Sequence, residues 1–181
     1  MVATISNTET RWNNKPFRVG TLFIGGTEVT ATAAELNAAA DVSSRVVQLT
    51  DANYTVLAAN SGKPHMVPNV SSDRTITLPA EAAGLDFEFI AQVGAADGHD
   101  WIFKTTSNTN YFVGAVIHVD TDADSGNSTT ALVAPDGNSN SQLQINLPQG
   151  CTKVRFICDG TLWTVEGTVY SVTAPGFTDQ A

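Results

Sequence analysis

Thr152-Lys153-Val154-Arg155-Phe156-Ile157-Cys158-Asp159-Gly160-Thr161-Leu162-Trp163-Thr164-Val165-Glu166 decides the fold class. Asp-Gly between two alternating runs predicts a hairpin closed by a two-residue type I′ turn, in which both central residues take positive φ. Folding about Asp159-Gly160 sets Cys158 opposite Thr161, Phe156 opposite Trp163, Val154 opposite Val165, Ile157 opposite Leu162 and Lys153 opposite Glu166. One face is then apolar and the other closes on a charge pair, so turn chemistry and cross-strand pattern agree. The hairpin carries no chemistry, and it points to a protein that acts through its surfaces.

Outward from this hairpin the same signals recur. From Arg45 onward, alternating runs predict strands at Arg45–Leu49, Thr55–Ala58, His65–Val67, Thr75–Leu78, Asp86–Val93, Trp101–Lys104, Tyr111–Val119, Thr130–Ala134, Gln142–Leu147, Lys153–Cys158 and Leu162–Val169. Turn clusters rich in Ser, Asn, Asp and Gly separate them. Short strands at this spacing predict an all-β domain, an antiparallel β-sandwich of jelly-roll-like type, over residues 45–181. Residues 1–44 read as an extended N-terminal arm, with a short strand near Val19–Ile24 and one short helix over Ala33–Ala40. Thr32 and Glu35 have capping-box spacing ahead of the alanine run. Leu36 is the only large apolar residue in that run, so the helix suits a spacer or a junction between subunits, with Ala34, Leu36 and Ala38 as oligomer contacts.

Charge separates the two regions. The chain of 181 residues carries a net −9, yet only 15% of it is charged. Arg11, Lys15 and Arg18 against Glu9 give residues 1–24 a net +2 and leave −11 for the remainder. An acidic body without a basic stripe excludes nucleic acid as a partner. No run of about 18 apolar residues predicts a membrane span, and the first residues lack an apolar export core. Cys151 and Cys158 lie an odd interval apart along one strand, which keeps them unbridged, as in a protein assembled in the cytosol.

Catalytic motifs are missing: no nucleophile elbow, phosphate loop, zinc-protease helix or paired Cys-Xaa-Xaa-Cys occurs. His65, His99 and His118 share no ligand spacing, and His118 alternates with Val116 and Asp120 as on a solvated face. Glu81, Asp86 and Glu88 form an acidic patch in which Phe87 and Phe89 alternate with the last two, the pattern of a half-buried strand. Asp120, Asp122 and Asp124 are weak candidates for a calcium loop, whose sixth position is Ser125 instead of glycine and whose twelfth is Ala131 instead of glutamate. No enzyme, cofactor or metal is expected.

Gly26-Thr27-Glu28-Val29-Thr30-Ala31-Thr32-Ala33-Ala34-Glu35-Leu36-Asn37 resembles a segment recurrent in virion proteins of tailed bacteriophages, where an N-terminal arm joins a β-rich domain. Thr75–Pro79, Gly84–Phe89, Trp101-Ile102 and Cys158–Trp163 likewise resemble small head-decoration and fibre-type domains. The resemblance implies a capsid decoration, or cement, protein: a homotrimer on the outer capsid surface that binds the major capsid protein, stabilises the shell against internal DNA pressure, and is assembled in the host cytoplasm. Arg11, Trp12, Lys15, Phe17 and Arg18 are the expected capsid-binding residues, since Trp and Arg dominate interface energetics. The alternative is a tail-fibre, receptor-binding tip that recognises a host surface glycan through the loops Asp120–Ser128 and Pro135–Ser141.

Overall fold

The computed structural model describes residues 22–24, 26–40, 42–92, 94, 98–122 and 129–180. The chain divides into two compact units, Met1–Asp41 and Val42–Ala181. In the first unit, β1 (Leu22–Ile24) and β2 (Thr27–Val29) form an antiparallel hairpin, followed by α1 (Ala33–Ala40). The helix starts where its capping box predicts. The Thr32 amide donates to Glu35 Oε2 at 2.7 Å, and the Glu35 amide donates to Thr32 Oγ1 at 3.2 Å.

The second unit is β-structure in two sheets. Its strands are β3 (Val47–Gln48), β4 (Tyr54–Thr55), β5 (Pro64–Val67), β6 (Arg74–Thr77), β7 (Asp86–Ala91), β8 (Trp101–Lys104), β9 (Phe112–Asp120), β10 (Thr130–Val133), β11 (Gln142–Ile145), β12 (Lys153–Cys158), β13 (Trp163–Ser171) and β14 (Gly176–Thr178). The seven-stranded sheet has the order β10-β9-β13-β12-β7-β5-β3, and the five-stranded sheet β14-β11-β8-β6-β4. Each strand expected from the alternation has a counterpart, often shorter, whereas β2 and β14 were not anticipated.

The pairing corrects the expected antiparallel sandwich. From β3 to β8 successive strands alternate between the two sheets. Neighbours within a sheet are therefore two strands apart in sequence and run the same way: β3 with β5, β5 with β7, β4 with β6 and β6 with β8 are all parallel. β9 and β13 also pair in parallel over their full nine residues. The antiparallel pairs gather in the second half, and no jelly-roll order emerges from these mixed sheets.

Both sheets contribute to one core. Phe87, Phe89, Phe156, Phe112 and Trp163 come from the seven-stranded sheet, and Trp101, Phe103, Ile76, Leu143 and Ile145 from the other; all are buried. Phe103 bridges the layers, its ring centroid 4.9 Å from those of both Phe89 and Phe156. Offset and edge-on ring contacts at this spacing add to the area they bury.

The β12–β13 hairpin forms with a different register from the one expected. Cys158 faces Trp163, Phe156 faces Val165 and Arg155 faces Glu166, a slip of two residues. The loop has four residues, and Asp159 organises it. Its Oδ1 accepts the amides of Thr161 and Leu162, both at 2.8 Å, and its own amide donates to the Leu162 carbonyl. Among the loop residues only Gly160 has a positive φ, 110°, so the turn is not type I′. A two-residue slip keeps every side chain on its face, which is why Phe156, Cys158, Trp163 and Val165 are still buried.

Candidate interaction surface

The face of the seven-stranded sheet turned away from the core carries the most structured polar cluster. Asp86 and Glu88 on β7, Lys153 and Arg155 on β12, and Glu166 on β13 alternate with buried neighbours and so share this outer face. Arg155 grips Asp86 with two bonds, from Nε at 2.7 Å and Nη2 at 2.6 Å, and reaches Glu166 through Nη1 at 3.1 Å. Lys153 Nζ lies 2.7 Å from Glu88. The guanidinium holds the Asp86 carboxyl below the usual carboxylate range, and Asp86 pushes the Arg155 pKa up in return. Three strands are thereby laced together at their solvent side. Such exposed pairs add little stability and chiefly fix register.

A shallow cavity of about 510 Å³ lies over this lattice, bordered by Lys153, Arg155, Glu166, Thr168 and Tyr170. A smaller hollow of about 170 Å³ shares Glu88 and Arg155 with it and adds Lys63. Three cations and three carboxylates balance across the strip, on a chain whose net charge is −9. Toward β10 the same face turns apolar. Ile117 on β9 is 44% exposed and stands opposite Leu132 on β10, which is 73% exposed. The expected acidic patch is split, because Glu81 lies off β7. It accepts hydrogen bonds from Trp163 Nε1 at 3.0 Å, Asn110 Nδ2 at 2.6 Å and Thr106 Oγ1 at 3.4 Å.

The residues expected to bind a capsid, Arg11, Trp12, Lys15, Phe17 and Arg18, lie outside the described residues. Of the expected oligomer contacts, Ala34 and Leu36 are exposed on α1, Leu36 by 45%; Ala38 is on the same helix. Asp120 ends β9, and its Oδ1 accepts the Asp122 amide at 2.9 Å, while Asp124 lies outside the described residues. Among the described residues no group of three or more His, Cys, Asp or Glu converges as a metal site would require.

His118 departs from the expected solvated position: it is buried, with Nε2 3.0 Å from the Ser171 carbonyl oxygen. It stands opposite Val169 of the parallel partner β13 and alternates with Ile117, on the buried side of β9 with Val116. Both cysteines are free; Cys158 is buried, and Cys151 stands exposed before β12 at φ 75°. Sequence alternation could have located the outer-face lattice, since Lys153, Arg155 and Glu166 sit at alternate positions. Only the true register shows which charges meet. The chain matches no protein-family model and no curated protein.

Proposed function

We propose that the protein is a structural component of a tailed-phage virion that decorates the outer capsid surface, binding the major capsid protein and stabilising the shell without catalysing a reaction. One observation carries this reading. The segment Gly26–Asn37, on which the phage resemblance chiefly rests, folds as a strand and capped helix that end just before the boundary between the two compact units at Asp41. An arm-to-domain junction is where the resemblance puts that segment. The β-domain beyond it offers a charge-balanced, laced sheet face, a surface suited to protein contact because no large desolvation of an unpaired charge is needed.

The arm residues Arg11, Trp12, Lys15, Phe17 and Arg18 supply shell affinity in this reading, as cations and aromatics on an otherwise acidic chain. The test mixes purified full-length protein with undecorated capsids and, separately, with host cells. Sedimentation with capsids, weakened at least tenfold by Trp12→Ala combined with Arg18→Glu, is the expected result. Binding to cells but not to capsids would replace this reading with the receptor-binding tip.

A further inference from the structure

His65 on β5 is a polar group in an apolar place. It is buried, and neither ring nitrogen has a hydrogen-bond partner, where buried polar groups are ordinarily paired. β7 packs Phe87 and Phe89 against it, and β3 sets Val47 beside it in register. Tyr54 of β4 closes over it from the other sheet, its ring centroid 6.0 Å away. Tyr54 is thus the titratable group that faces the imidazole from β4, and Lys63, just before β5, is the charge that acts on it. Asp86 and Glu88 of β7 lie on the opposite face, since His65 pairs with Phe89.

The cover over this ring is slight. β3 and β4 are two residues long and each ends its sheet. Along residues 47–57 only Leu49 and Val56 are buried. The segment is fastened by the Leu49 amide, which donates to the Met66 carbonyl at 3.0 Å, and by the Val56 amide, which donates to the Thr77 carbonyl at 2.8 Å. Asp51 adds a third point, accepting from Arg74 Nε at 2.8 Å and from the Ser71 amide at 3.1 Å. Segments with few buried apolar contacts and exposed hydrogen bonds open at less than the free energy of global unfolding. We propose that residues 47–57 are a strap over His65 that opens when the ring takes up a proton, leaving the rest of the β-domain folded.

Closed, a protonated ring would hold its charge among three aromatic rings with no acceptor, which burial in apolar surroundings penalises. Opening removes Val47 and Tyr54 and makes β5 the edge of its sheet, so the imidazolium reaches water on the side where the cover was. The fastening at Asp51 does not change in mild acid, because the Arg74 guanidinium holds its carboxyl well below the usual carboxylate range. His65 is therefore the group that switches the strap near neutral pH. The strap is also the first β-structure after the boundary between the two units at Val42. Its opening lengthens the tether between them, from a few residues to one that runs on to Leu57. This device is independent of the virion reading.

Amide hydrogen exchange of the unaltered full chain tests the strap. Corrected for the intrinsic rate at each pH, the Leu49 and Val56 amides are expected to exchange at least tenfold faster than the paired amides of β12 and β13. They are also expected to speed up about tenfold between pH 7.5 and 5.5, the ratio that a free imidazole of pKa about 6.5 imposes on an opening that exposes it. His65→Leu is expected to keep the fast exchange and lose the pH dependence. Strap amides as slow as those of β12 and β13 would mean that only global unfolding uncovers His65. Fast exchange without pH dependence would mean that the strap opens without exposing the ring. Either result overturns the proposal, as does a pH dependence that survives in His65→Leu. The first two comparisons need no variant, so they decide the matter even where His65→Leu does not fold.

Discussion

His65 lies fully buried with its ring centroid 6.0 Å from that of Tyr54, 5.8 Å from Phe87 and 4.8 Å from Phe89. Neither ring nitrogen has a hydrogen-bond partner of good geometry. Burial pushes the imidazole pKa below its ordinary value, and the nearby backbone of Lys63 and Glu88 opposes this only in part. Above about pH 6.5 the ring is neutral in both folded and unfolded chains and stability is fully present. As pH falls below that value, the unfolded chain takes up a proton that the folded chain refuses. Stability is then lost at up to about 1.4 kcal/mol per pH unit until the folded pKa is reached. Asp136, held at about 2 by the Ser139 hydroxyl and the amides of Asn138, Ser139 and Asn140, withdraws its contribution only in strong acid. Denaturant titrations between pH 7.5 and 5 are expected to show this slope in the unaltered chain and a shallower one in His65→Leu, whatever the variant's absolute stability. Equal slopes would show that His65 binds its proton equally well in both states.

At the scale of elements, local signals were legible and partnerships were not. The alanine run after Thr32-Xaa-Xaa-Glu35 predicted α1 at its observed bounds, because the cap and the helix propensity act within one turn. The 152–166 stretch predicted a hairpin with the right inward face. Its register slipped because the Asp159 carboxylate binds the amides of Thr161 and Leu162 and stabilises a four-residue loop, an effect that an Asp-Gly signal alone does not convey. Parallel pairing could not be read at all: alternation says which side chains point inward, not which strand lies alongside. Gly114 shows how tight the unforeseen β9–β13 pairing is. Its φ is 93°, and a Cβ there would run into the Val165 carbonyl oxygen. Gly114→Ala must therefore strain the backbone and push β9 off β13. A loss of about 2 kcal/mol or more is expected in denaturant unfolding. Gly160→Ala is the comparison: it carries a positive φ too, but its nearest neighbour is the Ala83 Cβ at 3.4 Å, so a smaller loss is expected. A greater loss at Gly160 would mean that the turn, and not the parallel seam, limits stability.

At the scale of the whole molecule, the core belongs to the second unit: every buried apolar residue of the shared cluster lies between Leu49 and Val169. Residues 42–181 bury that cluster themselves, so deleting residues 1–41 is expected to leave a folded β-domain melting within a few degrees of the full chain. The candidate site was less legible than the fold. The residues singled out for binding gather where charge and aromatics stand out in the sequence, whereas the laced sheet face becomes visible only when the register is known. The same charge division gives a test of the arm that stability cannot confuse. Residues 1–24 carry a net +2 and the remainder −11, so an arm that attracts an acidic shell surface through these charges would be weakened by salt. The Debye length falls from about 10 Å at 0.1 M salt to about 3 Å at 1 M. Capsid binding by the full chain is therefore expected to weaken severalfold over that range. The chain lacking residues 1–41 should bind weakly at every salt concentration while keeping its circular dichroism spectrum. If the truncated chain binds as tightly as the full one, and with the same salt dependence, shell affinity lies in the β-domain and the sheet face replaces the arm as the docking surface.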